Sequence, residues 1–327
     1  MTYKLITFIV LLFSYSLLVK HDSIYKPTIE SPYGHPEPLP EGNNGIASRY
    51  PGDVGIGTDS AVIFADDFES YSRATDLTNK WNEAYHEANL RIATGPADVF
   101  RGASALEFTV PKTASEVSNT VVKYVIPQRD TLFLRYYGKF DSSFNVVGSS
   151  HNGSTISSSY YSGEGSGPGI PADGYNKFLV SYEVGRWEET GTSNPGELNV
   201  YVYHPGQRSI WGDHFYPSGR VLPSPQTPFH FGPGFIARPN LIPALGQWYC
   251  YELMVRCNTP GQYNGRIAMW LDGKLIGDFP NLRLRDTTAL KIDRFTIDLH
   301  IRNNTLSIAR KWIDNVVAAT SYIGPIQ

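Results

Sequence analysis

From Ala61 onward the chain alternates short runs rich in apolar residues with clusters of Gly, Pro, Asn and Asp. The runs include AVIFADDFE, ALEFTV, VVKYVI, TLFLRYYGKF, NKFLVSYEV, ELNVYVYH, QWYCYELMVRC, GRIAMWLDGKLI, LKIDRFTIDLHI and KWIDNVVAAT. Each has the length of a strand, and several repeat apolar residues with a period of two. Long stretches with the 3.6-residue period of a helix are missing. Asp76–Leu90 has room for a short helix, but it reads better as a segment wrapping a sheet edge. This succession predicts an all-β sandwich.

The same period sorts residues onto faces. Between Lys291 and Arg302, the set Asp293, Phe295, Ile297, Leu299 and Ile301 points inward, leaving Arg294, Thr296, Asp298, His300 and Arg302 outside. Between Gln247 and Cys257, Tyr249, Tyr251, Leu253 and Val255 point inward, with Trp248, Glu252 and Arg256 outside. In Glu197–His204 the two faces carry Leu198, Val200, Val202 and Asn199, Tyr201, Tyr203. In Thr131–Phe140 the polar face carries Arg135, Tyr137 and Lys139. An outer face of Tyr, Arg, Lys, His and Glu reads as a binding surface, since a merely solvated one is rich in Lys, Glu, Ser and Thr.

The N-terminus has a different pattern. Lys4 precedes an almost wholly apolar run from Leu5 to Val19, about 15 residues where a spanning helix needs ~20. Residues 1–22 read as a signal peptide or an uncleaved N-terminal anchor, which predicts a secreted or cell-surface protein with no other membrane attachment. Residues 23–60, with KPTIESPYGHPEPLPEGNNG, form a linker or a surface-hugging arm. Residues 61–327, about 265 of them, suit one large β domain. A net charge of -3 gives no basic surface for nucleic acid. The 21 Tyr and 6 Trp suit strands and also stack on sugar rings. Cys250 and Cys257 stand in one strand-like run. Seven strand residues span roughly 23 Å, whereas a disulfide needs Cα atoms within about 7 Å. Both are expected to be structural thiols.

GQWYCYELMVRCNTPGQYNGRIAMWLDGKLIGDFPNLRLRD resembles the back half of concanavalin A-like jelly-roll polysaccharide lyases, in particular the alginate lyase and glucuronan lyase families. The resemblance rests on the strand led by Trp248, the turn Asn258-Thr259-Pro260-Gly261, the hairpin from Trp270 to Gly273, and Arg283 and Arg285 before the next strand. KWIDNVVAATSYIGP resembles the last strand of that fold, and SYEVGRWEETGTSNPGELNVYVYHP its Ser-x-Arg strand followed by a Tyr-x-Tyr strand. The resemblance covers about Ala61 to Pro325. It implies a sandwich of two curved antiparallel sheets and a polysaccharide partner, acidic in character. It carries the family's Tyr pair onto Tyr201 and Tyr203 and its strand Ser onto Ser181. Glu183 stands where the family has Arg. The family's lysine loop corresponds to VGSSHNGS, where His151 stands in place of the lysine.

A lyase of this kind cleaves a uronic acid chain by β-elimination. It must neutralise the carboxylate, remove the neighbouring proton and protonate the leaving oxygen. His151, Tyr201, Tyr203 and His300 are the catalytic candidates. Arg135, Tyr137, Lys139, Asn152, Ser181, Glu252, Arg256 and Arg302 are the candidates for holding substrate. FADDFES and KWIDNVV belong to the first and last strands, which lie side by side in such folds. Asp67, Glu69 and Asp314 could therefore hold a structural Ca²⁺. His204, His214 and His230 have spacings that match no compact zinc motif. A glycan at the Asn152-Gly153-Ser154 sequon would block the expected site.

Two other functions compete. A glycoside hydrolase needs two carboxylates about 5 to 10 Å apart. The Glu-x-Asp-x-x-Glu string that supplies them on one strand is absent, and Glu183, Glu188 and Glu189 are the nearest approach. A non-catalytic carbohydrate-binding or surface-structural module would keep the aromatic polar face and dispense with the loop lysine. Unsaturated ends appearing on a polyuronate would select the lyase, and binding without product the module.

Overall fold

The computed structural model describes residues 36–148, 150–163, 165–186, 193–223 and 230–327; the expected leader, residues 1–22, lies outside them, as do Glu188 and Glu189. Among the described residues the strands are β1 (Val62–Asp66), β2 (Glu83–Tyr85), β3 (Leu90–Ala93), β4 (Ala105–Thr113), β5 (Val117–Arg129), β6 (Thr131–Phe140), β7 (Ser150–His151), β8 (Ser154–Ser158), β9 (Phe178–Gly185), β10 (Glu197–Tyr203), β11 (Asp213–Phe215), β12 (Val221–Leu222), β13 (Tyr249–Arg256), β14 (Gly265–Leu271), β15 (Lys274–Leu282), β16 (Ile292–Ile301) and β17 (Asn304–Ala319). They build two antiparallel sheets. One has eight strands in the order β15-β14-β13-β6-β17-β4-β3, with β1 added on β17. The other has nine in the order β12-β11-β10-β9-β8-β16-β5-β2, with β7 added on β16. The expected all-β sandwich is the fold, and its two layers and crossing connections are those of a jelly roll.

Period two delivers the core. Phe295, Ile297, Leu299 and Ile301 of β16, the even-numbered residues Phe178 to Val184 of β9, and Leu198, Val200 and Val202 of β10 meet Tyr251, Leu253 and Val255 of β13 from the facing sheet. Aromatic rings bridge the layers, with centroids 5.6 Å apart for Phe64–Phe295 and Tyr182–Tyr251 and 5.7 Å for Phe215–Phe279. Each such side chain contributes roughly 1.5–3 kcal/mol by leaving water. Asp272 and Gly273, both with positive φ, close the tight β14–β15 hairpin, as the Asp-Gly pair predicts. Asp76–Leu90 does wrap the edges: β2 borders the nine-stranded sheet and β3 the eight-stranded one. Cys250 and Cys257 are buried and free.

The outer face of the eight-stranded sheet is sealed. Residues 36–60, here termed the arm, cover it together with the C-terminal tail. Ile46, Ala47, Ile56, Tyr322 and Ile323 pack on Phe133, Met254, Ala268 and Trp270. Trp270 donates its indole N–H to the Pro40 carbonyl at 2.9 Å. Arg266 holds Asp278 with two hydrogen bonds, of 2.7 and 2.6 Å, and donates to the Glu37 carbonyl.

Sheet membership corrects five expected substrate contacts, four of which this seal also buries. Arg135 is fully buried and paired with Asp53 of the arm. Tyr137 accepts the Ile326 N–H and stacks on Phe100 at 3.8 Å. Lys139 donates to the Ala97 carbonyl, lies 3.3 Å from Asp98 and stands over Trp312. Glu252 accepts the Ile323 and Gly324 N–H groups. Arg256 is exposed but lies opposite Arg266 in this same sheet. Alternation placed these residues on an outer face correctly. It could not say which sheet they belong to, and β6 and β13 lie in the sheet that does not carry Tyr201.

Candidate active site

The open face belongs to the nine-stranded sheet, and register assembles the site across it. His214 of β11 pairs with Tyr201 of β10, Tyr201 with Ser181 of β9, and Ser181 with Thr155 of β8. One row along, Asn199 pairs with Glu183, and His151 of β7 pairs with His300 of β16. Gly153 makes this close approach feasible. A Cβ there would sit 1.6 Å from the Tyr182 carbonyl oxygen, so no larger residue fits between β7 and β8.

His151 is the centre. Its Nδ1 lies 2.8 Å from Glu183 Oε2. Its ring centroid is 4.8 Å from that of Tyr201 and 5.3 Å from that of His300. Tyr201 in turn stands 4.7 Å from the His214 ring. The His151 side chain keeps 31% of its surface exposed, against 14% for His300 and 10% for His214. Of these three imidazoles it is the most open to a ligand. Burial alone would lower its pKa, but the charge and hydrogen bond of Glu183 outweigh that and leave it raised. Its neighbours go the other way. Burial, helped by repulsion from His151, pushes His214 down to about 3 and His300 down to about 4. At neutral pH both are uncharged. Burial raises Glu183, with His151 opposing. Asp298 is likewise raised by burial, against hydrogen bonds from Thr296 at 2.7 Å and Thr155 at 3.0 Å.

Tyr201 accepts the Gly212 N–H at 3.0 Å. Burial drives its pKa well above the usual phenol range, so it stays a proton donor. Tyr203 meets Tyr201 edge-on at 5.5 Å and accepts the Gly169 N–H at 3.2 Å. Lys177, buried, sits over the rings of Tyr203 and Tyr160 at 4.4 and 4.8 Å. Burial lowers its pKa to about 8. Next to this pair, Tyr161 and Trp211 expose 67% and 52% of their surface. The Tyr161 ring packs on Tyr160, and the Trp211 ring lies within contact range of Gly169.

Four expected catalytic residues, His151, Tyr201, Tyr203 and His300, thus come together on one face. Ser181 joins them as support, bonded to Thr155 at 2.6 Å. Asn152 is buried and positions the loop: its amide donates to Ser150 Oγ and to the Val184 carbonyl and accepts the Val184 N–H. A glycan on Asn152 is incompatible with that burial. Arg302 is exposed in the turn just past β16. Glu183, His214, Asp298, Asn199 and Lys177 were not anticipated. Alternation on β9, β10 and β16 puts Glu183, Asn199 and Asp298 on the polar face, but their convergence on His151 depends on register. Glu183 is 1% exposed beneath His151, which keeps it from reaching a glycosidic oxygen as a hydrolase carboxylate must.

The three carboxylates expected to hold Ca²⁺ each accept backbone N–H groups. Asp314 accepts the N–H groups of Phe100, Arg101 and Asn315. Glu69 accepts those of Ala103 and Ser104. Asp67 is exposed and caps its own turn by accepting the Glu69 N–H. Both oxygens of Asp314, Oε1 of Glu69 and Oδ1 of Asp67 thus face backbone donors. Among the described residues no group of three or more His, Cys, Asp or Glu is placed to hold a metal.

The two layers form a jelly-roll sandwich, the fold also seen in solved alginate and glucuronan lyases. An alginate lyase double mutant in complex with an alginate trisaccharide superposes with a TM-score of 0.56 at 16% identity, covering 79% of this chain and 98% of that one. The endo-β-1,4-glucuronan lyase of the fungus Trichoderma reesei gives 0.51 at 16% identity, over 80% and 96%. An alginate lyase from Aplysia kurodai gives 0.54 at 13% identity, over 80% and 100%. These likenesses carry the fold. No family model and no curated protein matches the sequence.

Proposed function

We propose that this protein is an exported lyase that cuts a uronic-acid-containing polysaccharide by β-elimination. The observation that carries the reading is the His151–Glu183 pair beside Tyr201, on the open sheet of a fold shared with alginate and glucuronan lyases. A histidine oriented by a buried carboxylate is a general base tuned toward the working pH. His151 takes the proton from the carbon bearing the carboxylate. The electron pair left behind forms a double bond to the adjacent carbon, whose bond to the glycosidic oxygen breaks. Tyr201, held in its protonated form, donates to that oxygen. His300 supplies an N–H, and Arg302 at the end of its strand a charge, to the substrate carboxylate. Tyr203, Tyr161 and Trp211 offer faces for neighbouring sugar rings.

The test is a panel of polyuronates followed by ultraviolet absorbance of unsaturated ends. The signal should grow with one or more of them and vanish in His151→Ala. Binding of a polysaccharide with no product from any polyuronate would select the non-catalytic module instead.

A further inference from the structure

Lys311 breaks the pattern of its strand. Its neighbours in the alternation of β17, Ala309 and Ile313, belong to the apolar core. Lys311 lies between them on the same face and is completely buried. Its Nζ donates to the Asn152 carbonyl, in the loop that carries His151, and stands over the rings of Tyr136 and Phe140 at 5.2 and 5.5 Å. An ammonium group in a core costs far more than the methionine or leucine that would fill the same space. Something must therefore hold it there. Burial pulls its pKa down to about 7, and the charged groups that oppose this are Asp298 of β16 and then Glu183 of β9, both of which favour its protonated form. Glu183 needs such a partner. Its Oε2 binds His151; its Oε1 is buried without a hydrogen bond and lies 3.7 Å from Nδ1 of His214, a ring uncharged at neutral pH that supplies no counter-charge. A small cavity lined by Tyr136, Phe140, Asn152, Gly153, Glu183 and Tyr251 lies beneath the same loop.

We propose that Lys311 is a positioning residue of the site: it clamps the His151 loop from inside the core and supplies the counter-charge that keeps Glu183 anionic beside His151. The inference rests on the assignment of His151 and Glu183 as the working pair, though not on any substrate. Without Lys311, burial and the charge of Asp298 raise Glu183 further against His151 alone, and the anionic partner of His151 is weakened. Other groups bear on His151 as well: Asp298 and Glu116 favour its charged form, and it repels the charged forms of His214 and His300. All of them stay in place when Lys311 is replaced.

The test is an NMR titration of the His151 imidazole in the intact protein, its resonance assigned by loss in His151→Gln. Lys311→Met should lower the midpoint by about one pH unit. Lys311→Gln, which keeps a donor but no charge, should do the same, and it serves if the Met variant fails to fold. Glu183→Gln should lower the midpoint at least as far, and the double variant Lys311→Met/Glu183→Gln no further, because the lysine acts through the carboxylate. An unchanged midpoint in folded Lys311→Met or Lys311→Gln would overturn the proposal, as would a further fall in the double variant. The titration needs no sugar, so failure to find a cleaved polysaccharide leaves it standing, and the reverse also holds.

Discussion

The two sheets present outer faces that look alike in sequence and do opposite things. Each alternates aromatic with charged residues: Arg135, Tyr137, Lys139 and Glu252 on the eight-stranded sheet, and Glu183, Tyr201, Tyr203 and His300 on the nine-stranded one. On the first, every polar group named meets a partner from the arm, the tail or a neighbouring loop. On the second, the charges converge on an imidazole that still reaches solvent. The difference lies in what covers the face. A buried ion pair under an arm holds the fold in one arrangement; the same residue types on an open sheet are free to act on a ligand.

Substitution should separate the faces sharply. On the open face, His151→Ala should cut turnover by about 10²- to 10⁴-fold, the usual worth of a general base, with a melting temperature near wild type. On the sealed face the order reverses. Arg135→Met leaves the Asp53 carboxylate buried and unpaired, which costs about 3–5 kcal/mol, or about 2–4 °C of melting temperature per kcal/mol in a domain of this size. Turnover per folded molecule should be unchanged. Replacing both partners, Arg135→Met with Asp53→Asn, should recover much of the loss. A collapse of turnover in folded Arg135→Met would show that the sealed face belongs to the site after all.

Much of this contrast was legible in the sequence, and the part that was not has a physical cause. The period of two in β16 gave Phe295, Ile297, Leu299 and Ile301 to the core and His300 to the outside, because burial of one face leaves no other register. The resemblance placed Tyr201 and Tyr203 on a working strand and His151 in a working loop. What the sequence cannot carry is sheet membership. β6 and β9 have similar patterns, yet β9 pairs with its chain neighbours β8 and β10 while β6 pairs far along the chain with β13, Leu132 opposite Val255. Glu183 was met as the residue standing in an arginine's place. Its role appears once β7 sets His151 against it. Lys311 went unremarked because one polar residue in an apolar strand reads as an edge or a surface turn.

The open face should also titrate in a way the sealed one does not. His151 must be unprotonated to accept a proton, and Glu183 raises its pKa. Turnover should therefore fall as pH drops through that raised value, giving an acid limb centred above the ordinary imidazole range. Tyr201, raised far above the ordinary phenol, keeps its proton across the accessible range, so no alkaline limb is expected below about pH 10. A profile of kcat/KM against pH reads both limbs. An acid limb at or below the value of a free histidine would contradict the pairing with Glu183 as the tuning device. A smaller effect is expected at the rim: Trp211→Ala removes one stacking face, worth ~0.5–1.5 kcal/mol, and should raise KM by about 2- to 10-fold while leaving kcat in place.

The smallest expected effect concerns the edge where β1 meets β17. If Asp67, Glu69 and Asp314 held calcium, chelator would lower the melting temperature. The hydrogen bonds argue otherwise. Asp314 is fully buried, and burial raises its pKa to about 7, with the N–H groups of Arg101, Asn315 and Phe100 opposing. A carboxylate that already spends its oxygens on three backbone donors has little left to offer a cation. Chelator should leave the melting curve where it is. Asp314→Ala should lower it, because three N–H groups would lose their acceptor at about 1–3 kcal/mol for each one left buried. The sign of the pH effect follows from the raised pKa. The neutral acid is favoured in the folded protein, so this group stabilises the fold less as pH rises through about 7. A chelator-induced fall in melting temperature that added calcium reversed would restore the metal and remove the capping account.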